Sequence, residues 1–218
     1  NLQRQVAHAT SRLSARKVDS AAAALADLNP EVKLDLHPRR LDAAAARELI
    51  PCYDVICDGT DNFPTRVLLG DACHLLRRPL VSAAVLRFEG QLSVFRSHEG
   101  PPHPCHRCLH PEMPPEGLVP SCSEAGVLGA TVGVMGTLQA TEVLKLILGL
   151  DGSAVGGLDG SAVGGIGTGM SGRLLLWDAL DMRFRDVRLK RDPACALCGP
   201  DAAIRTIGEA PALACAAP

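Results

Sequence analysis

Two Cys-x-x-Cys pairs contain the residues whose types and spacing most directly indicate chemistry in this chain. The four cysteines are Cys105, Cys108, Cys195 and Cys198. Such pairs are typical of a structural zinc site, in which four thiolates surround Zn²⁺ and leave no position open for water or substrate. The other interpretations are coincidental motifs in a cysteine-rich chain, or two disulfides in a secreted protein. We predict the zinc site. Three nearby histidines could substitute as ligands but are expected to be solvated loop residues: His103, His106 and His110.

A second group of polar residues suits a nucleoside triphosphate. Its cations, amides and carboxylate are Arg4, Lys17, Asn1, Gln5, Asn62 and Asp61. Phosphoryl chemistry needs Lys, Arg and Mg²⁺ to neutralise charge, and a carboxylate to hold the metal. Ligands of open α/β sheets bind outside the carboxyl ends of strands, where Asp58, Asp61 and Asn62 are expected. The alternative is that the cations lie on the solvated face of a helix and that Asp61-Asn62 caps the next helix.

Alternating helices and short apolar strands are predicted to position these groups. Helices are expected over residues 19–28, 43–50, 65–77 and 126–150. Strands are expected over residues 32–37, 53–57, 173–180 and 184–190, and in two runs within 79–95 around Glu89-Gly90. This order predicts the α/β class, with a mostly parallel sheet, helices on both faces and an antiparallel C-terminal extension.

Three segments are expected to lie outside this layered core. The prolines between residues 100 and 121 predict a loop without regular structure. Residues 149–157 and 157–165 both read GLDGSAVGG, which indicates a flexible Gly-rich insertion over residues 150–171. Residues 200–218 are Ala-rich and are expected to form a loosely held tail. The main domain is therefore predicted over residues 1–199.

The composition excludes several classes of partner. A net charge of −2, a pI near 6.4 and 3% aromatic residues offer neither a basic surface nor stacking groups for nucleic acid. Gln139, Glu142 and Lys145 interrupt the apolar run at 126–150, which indicates a buried helix and no membrane span. The nine cysteines are an odd number and no signal peptide is visible, so we expect reduced thiols and a cytoplasmic protein.

The motifs occur in an order that resembles one known family. The order runs NLQRQ, a Lys before an Ala-rich helix, LNP, YDVICDGTDNFPTR, PLVSAAVLRFEGQLSVF, PCHRCL, PSCSEAGVLG, GTLQATEVLK and C-x-x-C-G. As an ordered set, these motifs resemble the ubiquitin-activating-enzyme-like adenylyltransferases of molybdopterin and thiamine biosynthesis. The resemblance covers residues 1–199 apart from the repeat insertion.

The resemblance implies a Rossmann-like, usually homodimeric enzyme that binds Mg-ATP and adenylylates the C-terminal Gly-Gly of a ubiquitin-like sulfur-carrier protein. It implies that Arg4 and Lys17 contact phosphates, that Asp61 is the Mg²⁺-associated carboxylate, and that Asn1 is an amide of the nucleotide site. Gln5 and Asn62 are further candidates for that site. A separate protein is expected to donate the sulfur. Cys122 of PSCSEAG matches the family's reactive cysteine, with a structural loop cysteine as the alternative.

One departure from the family keeps two other interpretations open. The family's Gly-rich turn and its acidic ribose-binding residue normally precede NLQRQ, so we expect this sequence to be truncated at its start. A non-catalytic, zinc-containing binding partner is therefore an alternative to the enzyme. The third interpretation is a dinucleotide-binding dehydrogenase, but no dinucleotide fingerprint is present to support it.

Overall fold

The computed structural model describes residues 2–115, 122–152 and 167–208 of the 218-residue chain. The strands are β1 (Ile56–Asp58), β2 (Leu80–Leu86), β3 (Glu89–Phe95), β4 (Arg173–Asp178) and β5 (Arg183–Arg188). The helices are α1 (Lys17–Leu28), α2 (Ala43–Leu49), α3 (Phe63–Leu75), α4 (His106–Leu109), α5 (Cys122–Ala125) and α6 (Gly129–Leu148). Short 3-10 turns occur at Thr10–Arg12, Ile50–Cys52 and Ser97–Glu99.

Local sequence signals explain where several helices begin and end. The Asn62 side chain accepts a hydrogen bond from the Thr65 amide and caps α3, which has a proline in its first turn. Asp42 caps α2 in the same way through the amide of Ala45. Helix α6 ends at Gly149, whose φ of 66° lies in the left-handed region that glycine adopts without a steric cost.

The described strands form one mixed sheet in the order β1-β2-β3-β4-β5. Strands β1 and β2 are parallel, whereas β2-β3, β3-β4 and β4-β5 are antiparallel. The α/β class is confirmed, but the mostly parallel sheet is wrong for the described residues. The reason is that β2 turns straight back into β3 through Arg87 and Phe88, and a tight hairpin always makes an antiparallel pair.

Helices cover both faces of the sheet, as predicted. Neighbouring residues of β2 point to opposite faces, so Leu80 joins the core under α2 and α3 while Val81 joins the core under α6. The first core includes Ala46, Leu69 and Ala72. In the second core, Met135 of α6 packs with Leu92, Val94 and Trp177. The sheet is therefore the middle layer of the molecule.

Helix α6 is half-buried, which corrects the expectation of a buried helix. Thr131, Met135 and Glu142 face the interior, whereas Leu144, Ile147 and Leu148 are exposed. By length and composition alone, α6 is the one helix in the described part of the chain that could span a membrane, with a mean hydropathy of 1.2. A core helix of a soluble protein passes the same test, and α6 packs against β2 and β3.

The strand predicted over residues 32–37 does not form. Residues 33–38 have no regular structure, and both Val32 and Leu36 are exposed. Alternation of apolar and polar residues makes a strand only where a neighbouring strand accepts its hydrogen bonds. No other described strand pairs with this segment.

The proline-rich segment contains one short helix that the sequence did not predict. Helix α4 lies between Pro104 and Pro111, where four residues without proline complete a single turn. A further short helix, α5, precedes α6, and residues 116–121 of the predicted loop lie outside the described residues.

The two ends of the glycine-rich insertion lie side by side. The Gly169 amide donates to the Asp151 carbonyl at 2.9 Å, and a Cβ placed on Gly152 would lie 3.3 Å from the Gly167 carbonyl oxygen. The Asp151 carboxylate is buried and forms an ion pair with Arg96. The repeat therefore leaves and rejoins the fold at one point, although most of it lies outside the described residues.

The first residues after Pro200 pack on the fold. Ala202 and Ile207 are buried, and Ile207 belongs to the core under α2 and α3. The Arg47 guanidinium donates to the Ile207 carbonyl and holds this segment against α2. The loosely held tail predicted from residue 200 is therefore wrong for residues 202–207, and residues 209–218 lie outside the described part.

Candidate active site and metal centre

The loop after β1 is held by a buried carboxylate at the carboxyl end of the strand. Asp58 is 1% exposed, and its Oδ1 accepts hydrogen bonds from the Thr60 amide at 2.9 Å and the Thr60 hydroxyl at 2.7 Å. Its Oδ2 accepts from the Ser82 hydroxyl at 3.0 Å and from the Arg66 guanidinium at 3.1 Å. Because its lone pairs are all directed inward, Asp58 shapes the loop rather than meeting a ligand.

Asp61 lies three residues further along the same loop and is exposed. Within the described residues its carboxylate makes no hydrogen bond or ion pair, so its oxygens face solvent at the carboxyl end of β1. The next side chain, Asn62, is occupied in capping α3. The capping interpretation is therefore right for Asn62, whereas the Asp61 carboxylate is open to solvent at the end of β1.

The N-terminal residues pack against the first turn of α6. A Cβ on Gly129 would lie 2.9 Å from the Gln3 carbonyl oxygen and 3.4 Å from Arg4 Cβ, so only glycine allows this close approach. Arg4 is consequently half-buried at the start of α6. The next stretch is held to α1, because the Ser20 hydroxyl meets His8 Nδ1 at 2.9 Å and accepts from Arg12 Nε at 3.0 Å.

The other predicted nucleotide-site residues are not joined to Asp61 by direct bonds within the described residues. Lys17 is the exposed first residue of α1, and Gln5 is half-buried. In residues 2–115, 122–152 and 167–208, no hydrogen bond or ion pair joins Lys17 or Gln5 to Asp61. Asn1 lies outside the described residues, as does the side chain of Cys122, whose backbone begins α5.

Two residues of this region were missed by the sequence reasoning. Arg66 of α3 reaches Asp58, and Gln139 of α6 donates its amide to the carbonyls of Asp58 and Val81, both at 2.9 Å. Gln139 therefore satisfies backbone acceptors where β1 and β2 run side by side. The sequence feature that could have identified Gln139 is a single amide in an apolar helix, because such a group usually needs a hydrogen-bond partner when it is buried. Arg66 was visible as the arginine of DNFPTR.

Two small cavities lie away from this loop. One, of about 70 Å³, is lined by residues that include Arg96, Glu142 and Asp151 near the base of the insertion. The other, of about 80 Å³, lies beside Glu89, Trp177 and Arg185. Neither is lined by Asp58 or Asp61, so neither belongs to the candidate nucleotide site.

The two cysteine pairs come together, as predicted. The Sγ atoms of Cys105, Cys108, Cys195 and Cys198 lie within 4.8 Å of one another. Adjacent sulfurs are 3.4 Å apart for Cys105–Cys195, 3.5 Å for Cys108–Cys198 and 3.7 Å for Cys105–Cys108. A tetrahedral ion with bonds of about 2.3 Å separates its sulfurs by about 3.8 Å, so the four thiols fit such an ion closely.

The close packing of the thiols shifts pKa values within the cluster. The hydrogen bond from the Cys105 thiol lowers the pKa of Cys108, while the same bond raises the pKa of Cys105. The pKa of Cys198 is also raised, to about 12. Three of the four cysteines are buried: Cys105, Cys195 and Cys198. Buried thiolates need a cation nearby, and a bound metal ion would supply that charge.

The first cysteine pair (first knuckle, Cys105 and Cys108) is fixed to α3 by an ion pair and by close packing, and the other pair (second knuckle) is Cys195 and Cys198. Arg107 donates from Nε and Nη2 to the two oxygens of Asp71 at 2.7 and 2.8 Å. A Cβ on Gly70 would lie 2.6 Å from His106 Cβ, so a glycine is required where α4 meets α3. The second knuckle is tied to the loop before α4 by Arg191, which donates to the carbonyls of Ser97, His103 and Cys198.

The knuckle histidines are not ligands in this arrangement, but they are also not the solvated residues that the sequence predicted. His106 is 3% exposed and packs edge-on against Phe95, and burial lowers its pKa to about 3. His110 packs against Phe63, and burial also lowers its pKa. His103 Nδ1 meets the Ser171 hydroxyl at 2.8 Å.

The remaining cysteines differ in environment. Cys73 is buried and burial raises the pKa of its thiol to about 12, as expected for a small hydrophobic residue. Cys52 and Cys57 are exposed. Cys57 is exposed because its side chain points away from the buried Asp58 on a short strand at the sheet edge.

The fold and site define an α/β protein with an exposed carboxylate after its first strand and a four-thiol cluster joining distant parts of the chain. The chain belongs to the ThiF family, which matches residues 1–197. This assignment confirms the resemblance seen in the motif order.

Relatives and solved structures are similar to the chain over most of its length. It is 48% identical over 200 residues to Adenylyltransferase and sulfurtransferase MOCS3 of Bos taurus, covering 91% of this chain and 40% of that protein. It is 42% identical over 203 residues to Sulfur carrier protein adenylyltransferase of Thermus thermophilus, covering 92% and 69%. Escherichia coli MccB, crystallised with AMPCPP and selenomethionine MccA, superposes with a TM-score of 0.68 at 15% identity, covering 91% and 55%. That likeness confirms the Rossmann-like fold alone.

Proposed function

We propose that the protein catalyses ATP-dependent adenylylation of the C-terminal glycine of a small ubiquitin-like sulfur-carrier protein. Family membership and the names of the bovine and Thermus relatives support this reaction class. The observation that carries the proposal is Asp61, an exposed carboxylate on a loop whose shape is fixed by the buried Asp58. The chain spans 40% of the bovine relative's length, so the activity of the whole protein is part of the proposal.

In the proposed reaction the carrier's terminal carboxylate attacks the α-phosphorus of ATP. Pyrophosphate leaves, and the carrier keeps an acyl-adenylate that a separate sulfur donor converts further. Arg4 and Lys17 would stabilise the negative charge on the departing pyrophosphate, because fixed cations favour the charge of the transition state. Asp61 would hold Mg²⁺, with Asn1 and Gln5 around the nucleotide, while Asn62 caps the helix that follows.

The metal of the cysteine cluster is proposed to be Zn²⁺ in a structural role. The donor set consists of four thiols, which favours a soft or borderline ion over Mg²⁺. Four protein ligands leave no open position for substrate, so the metal is assigned to holding the fold together.

Four finer features belong to the same proposal. Cys122 is the candidate for a covalent thiol intermediate with the carrier, and its place at the start of α5 supports this role. The protein is proposed to act as a homodimer in the cytoplasm. Its pathway is proposed to be molybdopterin or thiamine biosynthesis.

The direct test is ATP–pyrophosphate exchange that depends on a Gly-Gly-ended carrier, run on the full-length protein. Asp61→Asn should lower exchange by roughly 100-fold or more, because a group that acts in the transition state is lost. Asp54→Asn is the matched control, since Asp54 is an exposed aspartate before β1. Binding of zinc and carrier without exchange would instead favour the non-catalytic binding partner.

A further inference from the structure

We propose that Arg66 is a positioning residue that sets the conformation of the loop carrying Asp61. The effect of Arg66 on catalysis rests on the proposed adenylylation, whereas its effect on the loop does not. It is carried by the contacts that one buried guanidinium makes with the strand, the loop and the neighbouring strand. No substrate contact is assigned to Arg66.

The Arg66 guanidinium bridges three parts of the site. Nη1 donates to the Asp58 carboxylate at 3.1 Å and to the Ala83 carbonyl at 3.2 Å. Nη2 donates to the carbonyl of Thr60. One side chain from α3 therefore joins the end of β1, the following loop and β2.

The loop is held at both ends by this arrangement. At its start, Thr60 donates its amide and hydroxyl to Asp58 Oδ1 while its carbonyl is held by Arg66. At its end, Asn62 caps α3 through the Thr65 amide. Asp61 lies between these anchors, and its side chain makes no hydrogen bond or ion pair among the described residues. Its direction therefore depends on the anchors.

An arginine at this position is better explained by a role in fixing the loop geometry than by a role in stabilising the packing of α3 on the sheet. The ion pair is largely shielded from solvent, with side-chain exposures of 13% for Arg66 and 1% for Asp58. A buried ion pair adds little stability compared with apolar packing, so stability alone is a poor reason for placing charges here. A planar guanidinium can serve several acceptors in fixed directions, which a lysine ammonium does not reproduce. The pair therefore fixes geometry.

The experiment compares Arg66→Lys and Arg66→Gln with a control that breaks a matched ion pair elsewhere. Arg96 and Asp151 have side-chain exposures of 11% and 2% and lie at the base of the insertion, so Arg96→Gln is the control. The first readout is the Mg²⁺ concentration for half-maximal carrier-dependent pyrophosphate exchange, separated from the maximal rate. The second is hydrogen exchange of the Thr60 amide.

Both Arg66 variants should raise the half-maximal Mg²⁺ concentration by about tenfold, because small displacements of a binding group are costly. They should also speed exchange of the Thr60 amide, while Arg96→Gln lowers the melting temperature without either effect. The lysine variant keeps the positive charge, so it can still be measured if Arg66→Gln does not fold. Full rescue by lysine, or unchanged Mg²⁺ dependence with a protected Thr60 amide, would overturn the proposal.

Failure of the proposed function gives a different result. If the unaltered protein shows no exchange with any carrier, the adenylylation proposal fails. Hydrogen exchange at Thr60 then still decides the inference, because it reports the loop conformation without turnover. Faster exchange in both Arg66 variants supports the anchoring role, and unchanged exchange refutes it.

Discussion

Asp58 and Asp61 have the same side chain in opposite environments, only three residues apart. Asp58 is buried with four donors around it, whereas Asp61 is exposed. Since the strand ends between them, one carboxylate points into the sheet and the other reaches solvent. This contrast gives the two residues separable roles, in structure and in chemistry.

We therefore expect opposite results from removing each carboxylate. Asp61→Ala should change the free energy of unfolding by less than about 0.5 kcal/mol, as for other exposed sites, while abolishing turnover. Asp58→Ala should lower that free energy by about 3 kcal/mol, because it leaves Arg66 as an uncompensated buried charge. Urea unfolding and pyrophosphate exchange on the same samples test both. A strongly destabilised Asp61→Ala would contradict the assignment.

His106 makes stability depend on pH. Burial lowers its pKa to about 3 from an ordinary 6.5, so between these values the unfolded chain binds a proton that the folded chain does not. The stability that depends on neutral His106 is complete above pH 6.5 and is lost as the pH falls below it. At pH 5.5 the loss should be about 1.4 kcal/mol, the cost of one pH unit.

The comparison variant is His106→Leu, which keeps an apolar side chain against Phe95 and removes a Nδ1 atom that has no hydrogen-bond partner among the described residues. Urea unfolding at pH 7.5 and 5.5 should give a smaller loss for the variant, with metal content measured in each sample. Equal losses in the two proteins would show that His106 does not carry the effect.

At the scale of elements, the insertion is attached so that its length matters little. Its ends meet at Gly152 and Gly167, and Arg96 fixes Asp151 at the base. Loop-closure entropy changes slowly with length, so shortening a long loop between fixed ends costs little. The repeat is consequently expected to be dispensable for the fold.

Deleting residues 153–160 leaves a single GLDGSAVGG sequence and tests this expectation. The free energy of unfolding should change by less than about 1 kcal/mol, with carrier-dependent exchange retained. Asp151→Ala is the contrasting variant, because it removes a buried carboxylate that pairs with Arg96. A deletion more harmful than Asp151→Ala would mean that the repeat packs on the fold.

At the scale of the whole molecule, the cysteine cluster joins segments that lie 90 residues apart. Cys105 precedes α4 and Cys108 lies within it, and α4 is bound to α3, whereas Cys195 and Cys198 follow β5. A metal in this cluster would fasten the C-terminal segment to the helical layer. Its binding energy would therefore be part of the stability of the fold.

Loss of the metal should lower the stability of the whole fold, because the cluster joins segments that are distant in the sequence. Cys195→Ser should lose bound zinc and lower the free energy of unfolding by about 3 kcal/mol or more, since structural zinc contributes directly to folding. Cys52→Ser is the control, because Cys52 is exposed and outside the cluster. Zinc analysis and thermal unfolding of both variants check this. Unchanged zinc content in Cys195→Ser would refute the four-thiolate site.

The sequence by itself determined the α/β class, the family, the four-cysteine cluster and most helices. These features depend on local signals: Cys-x-x-Cys spacing, helix caps such as Asn62, and ordered motifs. It also located Asp61 at the end of a strand, because turn residues directly follow the apolar run at 53–57.

Only the tertiary structure decided the features that depend on distant neighbours. Residues 32–37 alternate like a strand but have no described partner strand, and Arg87 and Phe88 turn the sheet antiparallel after β2. The burial of His106 and the roles of Arg66 and Gln139 arise from elements that meet far apart in the chain. Hydrogen-bond pairing between strands and burial depend on the folded chain, whereas motif spacing and helix capping depend on residues that are close in sequence.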